Sequence, residues 1–365
     1  KSGIIIQTNA TEKVEAILTE TGVSYKNIGQ TNKNRTLKIT HKTSTLDIDI
    51  NELRDTWYRT SYLLDNKQCE NDLAKERFNN YKSQPLAFNF PTSFTGKFQH
   101  YDINPKRKEK SGIKAAIIRE KGVNGDREMA YAMHLAGFDV KDVHMTDLIS
   151  GREDLSEVNF IVFVGGFSNS DVLGSAKGWA GAFLYNEKAK NALDNFYARK
   201  DTLSLGVCNG CQLMMELGLL YPELGNNHPK LHHNDSKKFE SSFLTVDIPE
   251  NNTVMLNSLS GSKLGIWVAH GEGKFVLPNE ENNYNITSKY SHSSYPANPN
   301  GSDYNVAALA SKDGRHLAMM PHLERSIFPW NWPHYKSDRK SDEVSPWVEA
   351  FTNALDWVRE NKTHS

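Results

Sequence analysis

The rhythm of apolar and polar positions changes twice along the chain. Over residues 1–81, short apolar stretches at 4–6 and 36–50 predict strands, and the amphipathic spacing of 11–20 and 51–81 predicts helices, together an α+β region. Residues 82–112 lose that periodicity. They are rich in Pro, Phe, Asn and Lys, carry Pro85, Pro91 and Pro105, and end in the charged run Lys106-Arg107-Lys108-Glu109-Lys110, which predicts a linker. Over residues 113–365 strand and helix patterns alternate: apolar runs at 113–118, 138–143 and 160–164, a helix at 126–136 and a long helix inside 175–199. Short apolar runs separated by helices predict an α/β domain whose doubly wound, mostly parallel sheet is covered on both faces. The run 202–207 reads as a buried strand, and Leu213, Met214 and Leu217 continue with helical spacing, so Cys208 falls where strand meets helix.

Composition narrows the classes of function. At 365 residues the chain exceeds one typical domain, and its 43 basic and 44 acidic residues leave a formal charge of -1. No field is implied that would draw in a polyanion or a membrane surface, so neither nucleic acid nor membrane is expected as a partner. Apolar runs stay short of the roughly 20 residues a membrane-spanning helix needs, and the first residues lack a secretory signal pattern. Cys69, Cys208 and Cys211 cannot build a disulfide framework, which fits a reducing compartment and predicts a cytoplasmic location. Position 1 is Lys, as in a piece of a longer polypeptide.

Gly206-Val207-Cys208-Asn209-Gly210 has the form of a nucleophile elbow, a sharp strand-to-helix turn whose flanking glycines admit close backbone approach. The helix N-terminus behind such a turn favours an anion and offers amides to an oxyanion. Two other readings attach to the same residues: a buried structural thiol, and a redox pair through the Cys208-x-x-Cys211 spacing. A zinc site using His232 and His233 is disfavoured, because adjacent side chains cannot readily face one ion, and no metal is expected.

A cysteine nucleophile needs a base, and the base an orienting partner. Leu317-Ala318-Met319-Met320-Pro321-His322-Leu323-Glu324 runs from an apolar strand into a turn. In extended geometry residues two apart point to the same side, which would let Glu324 hold the imidazole of His322. Gly165-Gly166-Phe167-Ser168 closes another predicted parallel strand, where a backbone amide, together with that of Asn209, would face a developing oxyanion.

Elbow, His-x-Glu and Gly-Gly, in this arrangement, resemble the class I, or triad, glutamine amidotransferases. Within that class the longer motifs are similar to the phosphoribosylformylglycinamidine synthase family: Gly206 to Gln212, Gly165 to Ser168 followed by Asp171-Val172-Leu173-Gly174, Val268-Ala269-His270-Gly271-Glu272-Gly273, and Tyr295-Pro296-Ala297-Asn298-Pro299-Asn300-Gly301. The resemblance implies a flavodoxin-like glutaminase domain at 113–365, with 1–81 as the end of a synthetase half. It implies that Cys208, His322 and Glu324 are catalytic and that glutamine is held by Gly165, Gly166, Phe167, Asn209, Gln212, His270, Gly271 and Glu272. It also implies that ammonia passes to a synthetase half, where ATP and magnesium are used. No phosphate-cradling Gly-x-x-x-x-Gly-Lys loop is present, so no cofactor is expected in this portion. Two positions depart from the family pattern: Leu323, where proline often stands between His and Glu, and Ser242, where an arginine is usual.

Overall fold

Residues 3–70 and 72–362 are described by a computed structural model, and they divide into two compact units between Leu63 and Leu64. In the first unit a helix, α1 (Thr11–Glu20), precedes a hairpin of β1 (Thr36–His41) and β2 (Ser44–Asp49), and α2 (Ile50–Asp65) follows, its last two residues, Leu64 and Asp65, belonging to the second unit. The apolar run expected as one strand over 36–50 is thus folded back on itself, with Lys42 at the turn in a left-handed conformation. Ile4, Ile5 and Ile6, expected as a strand, have no regular structure and are 90%, 84% and 60% exposed. A three-residue strand without a hydrogen-bonded neighbour has nothing to offset its ordering.

The first helix wholly within the second unit is α3 (Leu73–Asn80). Residues 82–112, expected as a linker, lie along this unit: Phe90, Phe94 and Ile103 are buried in its core. Phe90 packs against Trp332 and Tyr335 at ring-centroid distances of 5.8 and 5.4 Å. Burying such a ring contributes roughly 1.5–3 kcal/mol, and the aperiodic, proline-bearing text hides it.

Elements then alternate as the sequence leads one to expect: β3 (Lys114–Arg119), α4 (Asp126–Ala136), β4 (Asp139–His144), α5 (Met145–Ser150), β5 (Phe160–Phe163), α6 (Lys177–Leu184), α7 (Glu187–Ala198), β6 (Leu203–Val207) and α8 (Asn209–Glu216). The single long helix expected inside 175–199 is two, because the Asn186 side chain accepts a hydrogen bond from the Ala189 amide at 3.0 Å and starts a new helix. The remaining elements are β7 (Lys230–His232), β8 (Glu240–Asp247), β9 (Lys263–His270), β10 (Lys274–Val276), β11 (Asn285–Tyr290), β12 (Val306–Ala310), β13 (His316–Met319) and α9 (Glu349–Asn361).

Among the described residues, nine of these strands form one sheet in the order β4-β3-β5-β6-β13-β12-β11-β8-β9. The first five run parallel, and β12, β11, β8 and β9 extend the sheet antiparallel. Every residue of β5, β6 and β13 is buried. Since successive side chains point to opposite faces, both faces must be covered. The helices form two groups, α4 packing with α9, and α5, α7, α6 and α8 in succession. No helix of the described residues is long and apolar enough to cross a membrane.

Candidate active site

Cys208 joins β6 to α8 with φ 53° and ψ -107°, a conformation few side-chain-bearing residues adopt. Such backbone strain costs on the order of 1–3 kcal/mol and persists only where the surroundings impose it. Here they do. The Cys208 amide donates to the Met319 carbonyl at 2.9 Å, and neither flanking glycine leaves room for a Cβ. At Gly206 one would lie 2.5 Å from Met214 Sδ and 2.6 Å from the Gly210 carbonyl oxygen; at Gly210 it would lie 1.9 Å from the Phe163 carbonyl oxygen. The helix is thereby drawn down onto the ends of β5 and β6. The thiol is nearly buried, 5% exposed, with its Sγ 3.4 Å from the Ala269 carbonyl oxygen.

The second component arrives by register. β13 lies parallel to β6 with Met319 opposite Val207, so the chain leaving β13 emerges beside Cys208 and carries His322 there. The His322 amide donates to the Trp267 carbonyl at 2.8 Å, and its Nδ1 lies 2.7 Å from Glu324 Oε1. Both side chains are buried. The pairing does not come from same-side projection along a strand, as the sequence suggests. His322 is extended (φ -98°, ψ 91°), but Leu323–Arg325 form a short 3-10 turn that swings the carboxylate back. Leu323, in the place where proline often stands, is fully buried and anchors that turn.

Gly165, past the end of β5, completes the convergence. A Cβ there would sit 2.9 Å from His322 Cε1 and 3.3 Å from Cys208 Cβ. Three strand ends therefore bring Cys208, His322, Glu324 and Gly165 together. Burial opposes a charge on His322, but the Glu324 carboxylate and the adjacent Cys208 outweigh it and raise its pKa from 6.5 to about 9. A raised folded-state pKa gives stability that is complete below the unfolded value and is lost as pH rises through the folded one. Glu324→Gln should thus lower the thermal midpoint most below about pH 6.5, with the deficit shrinking toward pH 9. A deficit constant across that range, in paired melting curves, would refute the charge coupling.

Gly166, with φ 127°, presses against the backbone of Val123 and Asn124, and the neighbouring Gly165 carbonyl accepts from the Asn124 amide at 2.8 Å. Among the described residues, the amides of Gly166 and Asn209 have no hydrogen-bond partner. Asn209 is buried; its Oδ1 accepts from the Ser168 amide at 3.1 Å and its Nδ2 donates to Gln212 Oε1 at 2.9 Å. Gln212 Nε2 in turn donates to the Glu272 carbonyl at 2.7 Å. Burial, and then the charge on His322, lowers the pKa of His270 to about 3, which keeps it neutral. Gly271 accepts from the Asn234 amide at 2.9 Å. Phe167 is half exposed and leans on Phe239 at 6.0 Å, so it stands at the rim.

The other thiol is unlike its neighbour. Cys211 is wholly buried in α8, and burial, with Cys208 beside it, pushes its pKa well up. A reactive dithiol needs the opposite environment, electropositive and accessible. His232 and His233 are both exposed. Sequence reasoning missed Asn234, whose side chain ties down the loop 270–273 by accepting from the Gly273 amide at 3.0 Å and donating to the His270 carbonyl at 2.7 Å. It stands in no motif, and only a long-range contact reveals it.

The probable phosphoribosylformylglycinamidine synthase, chloroplastic/mitochondrial, of Arabidopsis thaliana is 40% identical over 336 residues, which cover 84% of this chain and 23% of that protein. The human phosphoribosylformylglycinamidine synthase is 39% identical over 341 residues, 86% of this chain and 25% of that protein. The chain thus spans about a quarter of the length of these curated relatives. The structure of PurLQS from Thermotoga maritima superposes with a TM-score of 0.53 at 24% identity, covering 67% of this chain and 99% of that one, which shows the shared fold. Residues 112–358 match the CobB/CobQ-like glutamine amidotransferase domain, and the chain belongs to that family.

Proposed function

We propose that this chain is the glutaminase portion of a phosphoribosylformylglycinamidine synthase. The observation that carries the reading is the buried His322–Glu324 pair, 2.7 Å apart, set beside a cysteine held in a strained elbow. In the proposed reaction Cys208 Sγ attacks the side-chain amide carbon of glutamine while His322 takes the thiol proton. Near neutral pH the imidazole keeps that proton, then delivers it to the departing nitrogen, and ammonia leaves. Water attacks the resulting thioester with His322 as base, freeing glutamate and the thiol. Glu324 orients the ring, and the unpartnered amides of Gly166 and Asn209 are the donors available to the oxyanion. Asn209, Gln212 and the loop 270–272 would hold the rest of glutamine.

The named relatives and the shared motifs support the wider role. Ammonia would pass to a synthetase half, on the same polypeptide or a separate subunit, where ATP and magnesium activate the formyl amide oxygen of formylglycinamide ribonucleotide. The product would be formylglycinamidine ribonucleotide, in purine synthesis, and the location cytoplasmic. The chloromethyl ketone analogue of glutamine tests the first half of this reading: it should alkylate Cys208, and excess glutamine should protect. A wild-type chain that is not alkylated at Cys208, or whose alkylation ignores glutamine, would refute the glutaminase assignment.

A further inference from the structure

The loop that closes the proposed glutamine pocket is held from outside the amidotransferase domain. Glu240 begins β8 directly across from His270 in β9, and its side chain is only 4% exposed. A buried carboxylate must be neutralised and hydrogen-bonded. Three groups do so: Arg77 at 2.6 Å, Ser236 Oγ at 2.6 Å and the Tyr295 hydroxyl at 2.8 Å. The Arg77 guanidinium also bonds the Tyr295 hydroxyl and lies over its ring, 4.7 Å from the centroid. Asp65 pairs with Arg77 at 3.3 Å and with Lys238, and the Glu70 amide donates to the Ser236 carbonyl at 3.3 Å.

Residues 234–240 are therefore gripped on one side by Asp65, Glu70 and Arg77. On the other side they grip the pocket. Asn234, fully buried, holds His270, Gly271 and Gly273 by the three bonds described above. That loop carries the Glu272 carbonyl, which accepts from Gln212, and it follows the Ala269 carbonyl, which lies against the Cys208 thiol. The grip comes from residues preceding the 112–358 region that matches the domain family.

We infer that Arg77 is a positioning residue for glutamine: through Glu240 and Asn234 it sets the loop 270–273 against Gln212, so the site is complete only with the chain that precedes the domain. This rests on the glutaminase reading above. Displacing a supporting group by about 1 Å can cost on the order of 100-fold in a positioned reaction. The effect belongs in substrate affinity, because Arg77 touches neither the thiol nor His322.

Saturation kinetics of Cys208 alkylation in the full chain test this, with iodoacetamide, which needs no glutamine pocket, as the reference. Arg77→Met should raise the half-saturating concentration of the glutamine chloromethyl ketone by about tenfold or more and leave both the limiting rate and the iodoacetamide rate unchanged. Arg77→Lys should recover part of the loss. Combining Arg77→Met with Asn234→Ala should add little beyond the larger single effect, as for residues in one network. Should Arg77→Met fail to fold, Glu240→Gln, which keeps the shape and removes the charge, carries the same expectation. Unchanged half-saturation with a lowered thermal midpoint would overturn the inference, leaving Arg77 structural. A wild-type chain that resists the ketone altogether would instead sink the glutaminase reading.

Discussion

Cys208→Ala should abolish glutamine hydrolysis, by a factor of at least about 10⁴, whereas Cys211→Ala should retain most of it. The contrast follows from placement three residues apart on one turn of helix. Cys208 faces the junction of three strand ends with His322 beside it, while Cys211 points into the core and its thiol is kept protonated by burial. In a polypeptide carrying the synthetase half, the same Cys208 variant should lose glutamine-dependent synthesis but still use added ammonium, because only the ammonia source has been removed. Ammonia release assayed on both variants checks the first statement. Comparable losses from the two cysteines, with activity requiring a dithiol, would point instead to redox chemistry.

Gly210→Ala should be the most damaging single methyl addition at the site. The new Cβ would stand 1.9 Å from the Phe163 carbonyl oxygen, a backbone atom in a strand that is buried throughout. Neither α8 nor β5 can retreat without opening the core between them, so the expected cost is about 3 kcal/mol or more. Gly271→Ala makes the control, since a Cβ there meets nothing within 4 Å. Urea melts of the two variants should differ by that margin, and equal midpoints would mean the elbow is looser than its contacts indicate.

Much of the site was legible because each part left a local trace. Gly-x-Cys-x-Gly announces a turn in which two glycines face backbone, and the apolar run before His322 announces a buried strand that ends at chemistry. What joins the parts was not legible: the parallel pairing of β13 with β6 is a contact between residues 112 apart, as the Ser204–His316 pair shows. The 3-10 turn that returns Glu324 to His322 has no periodic signature. Asn234 and Arg77 look like ordinary polar residues until the chain is folded. Ile4 to Ile6 mislead in the other direction, since apolar character without a pairing partner makes no strand. Residues 82–112 carried their information in scattered aromatics rather than in a period.

The way that last segment lies has a consequence for how copies of the chain meet one another. β9 is the final strand of the large sheet, and a bare final strand invites pairing with another molecule. Its free side is occupied at Lys263 by Asn89, through two backbone hydrogen bonds of 2.8 and 2.9 Å, and at Trp267 by His322. Phe88 and Phe90 roof the neighbouring Phe243 and Trp332. A chain trimmed to residues 113–365 would uncover an unpaired strand margin and a set of aromatic rings together, the combination from which intermolecular sheets grow. The stretch that reads as a spacer is thus also a guard on solubility.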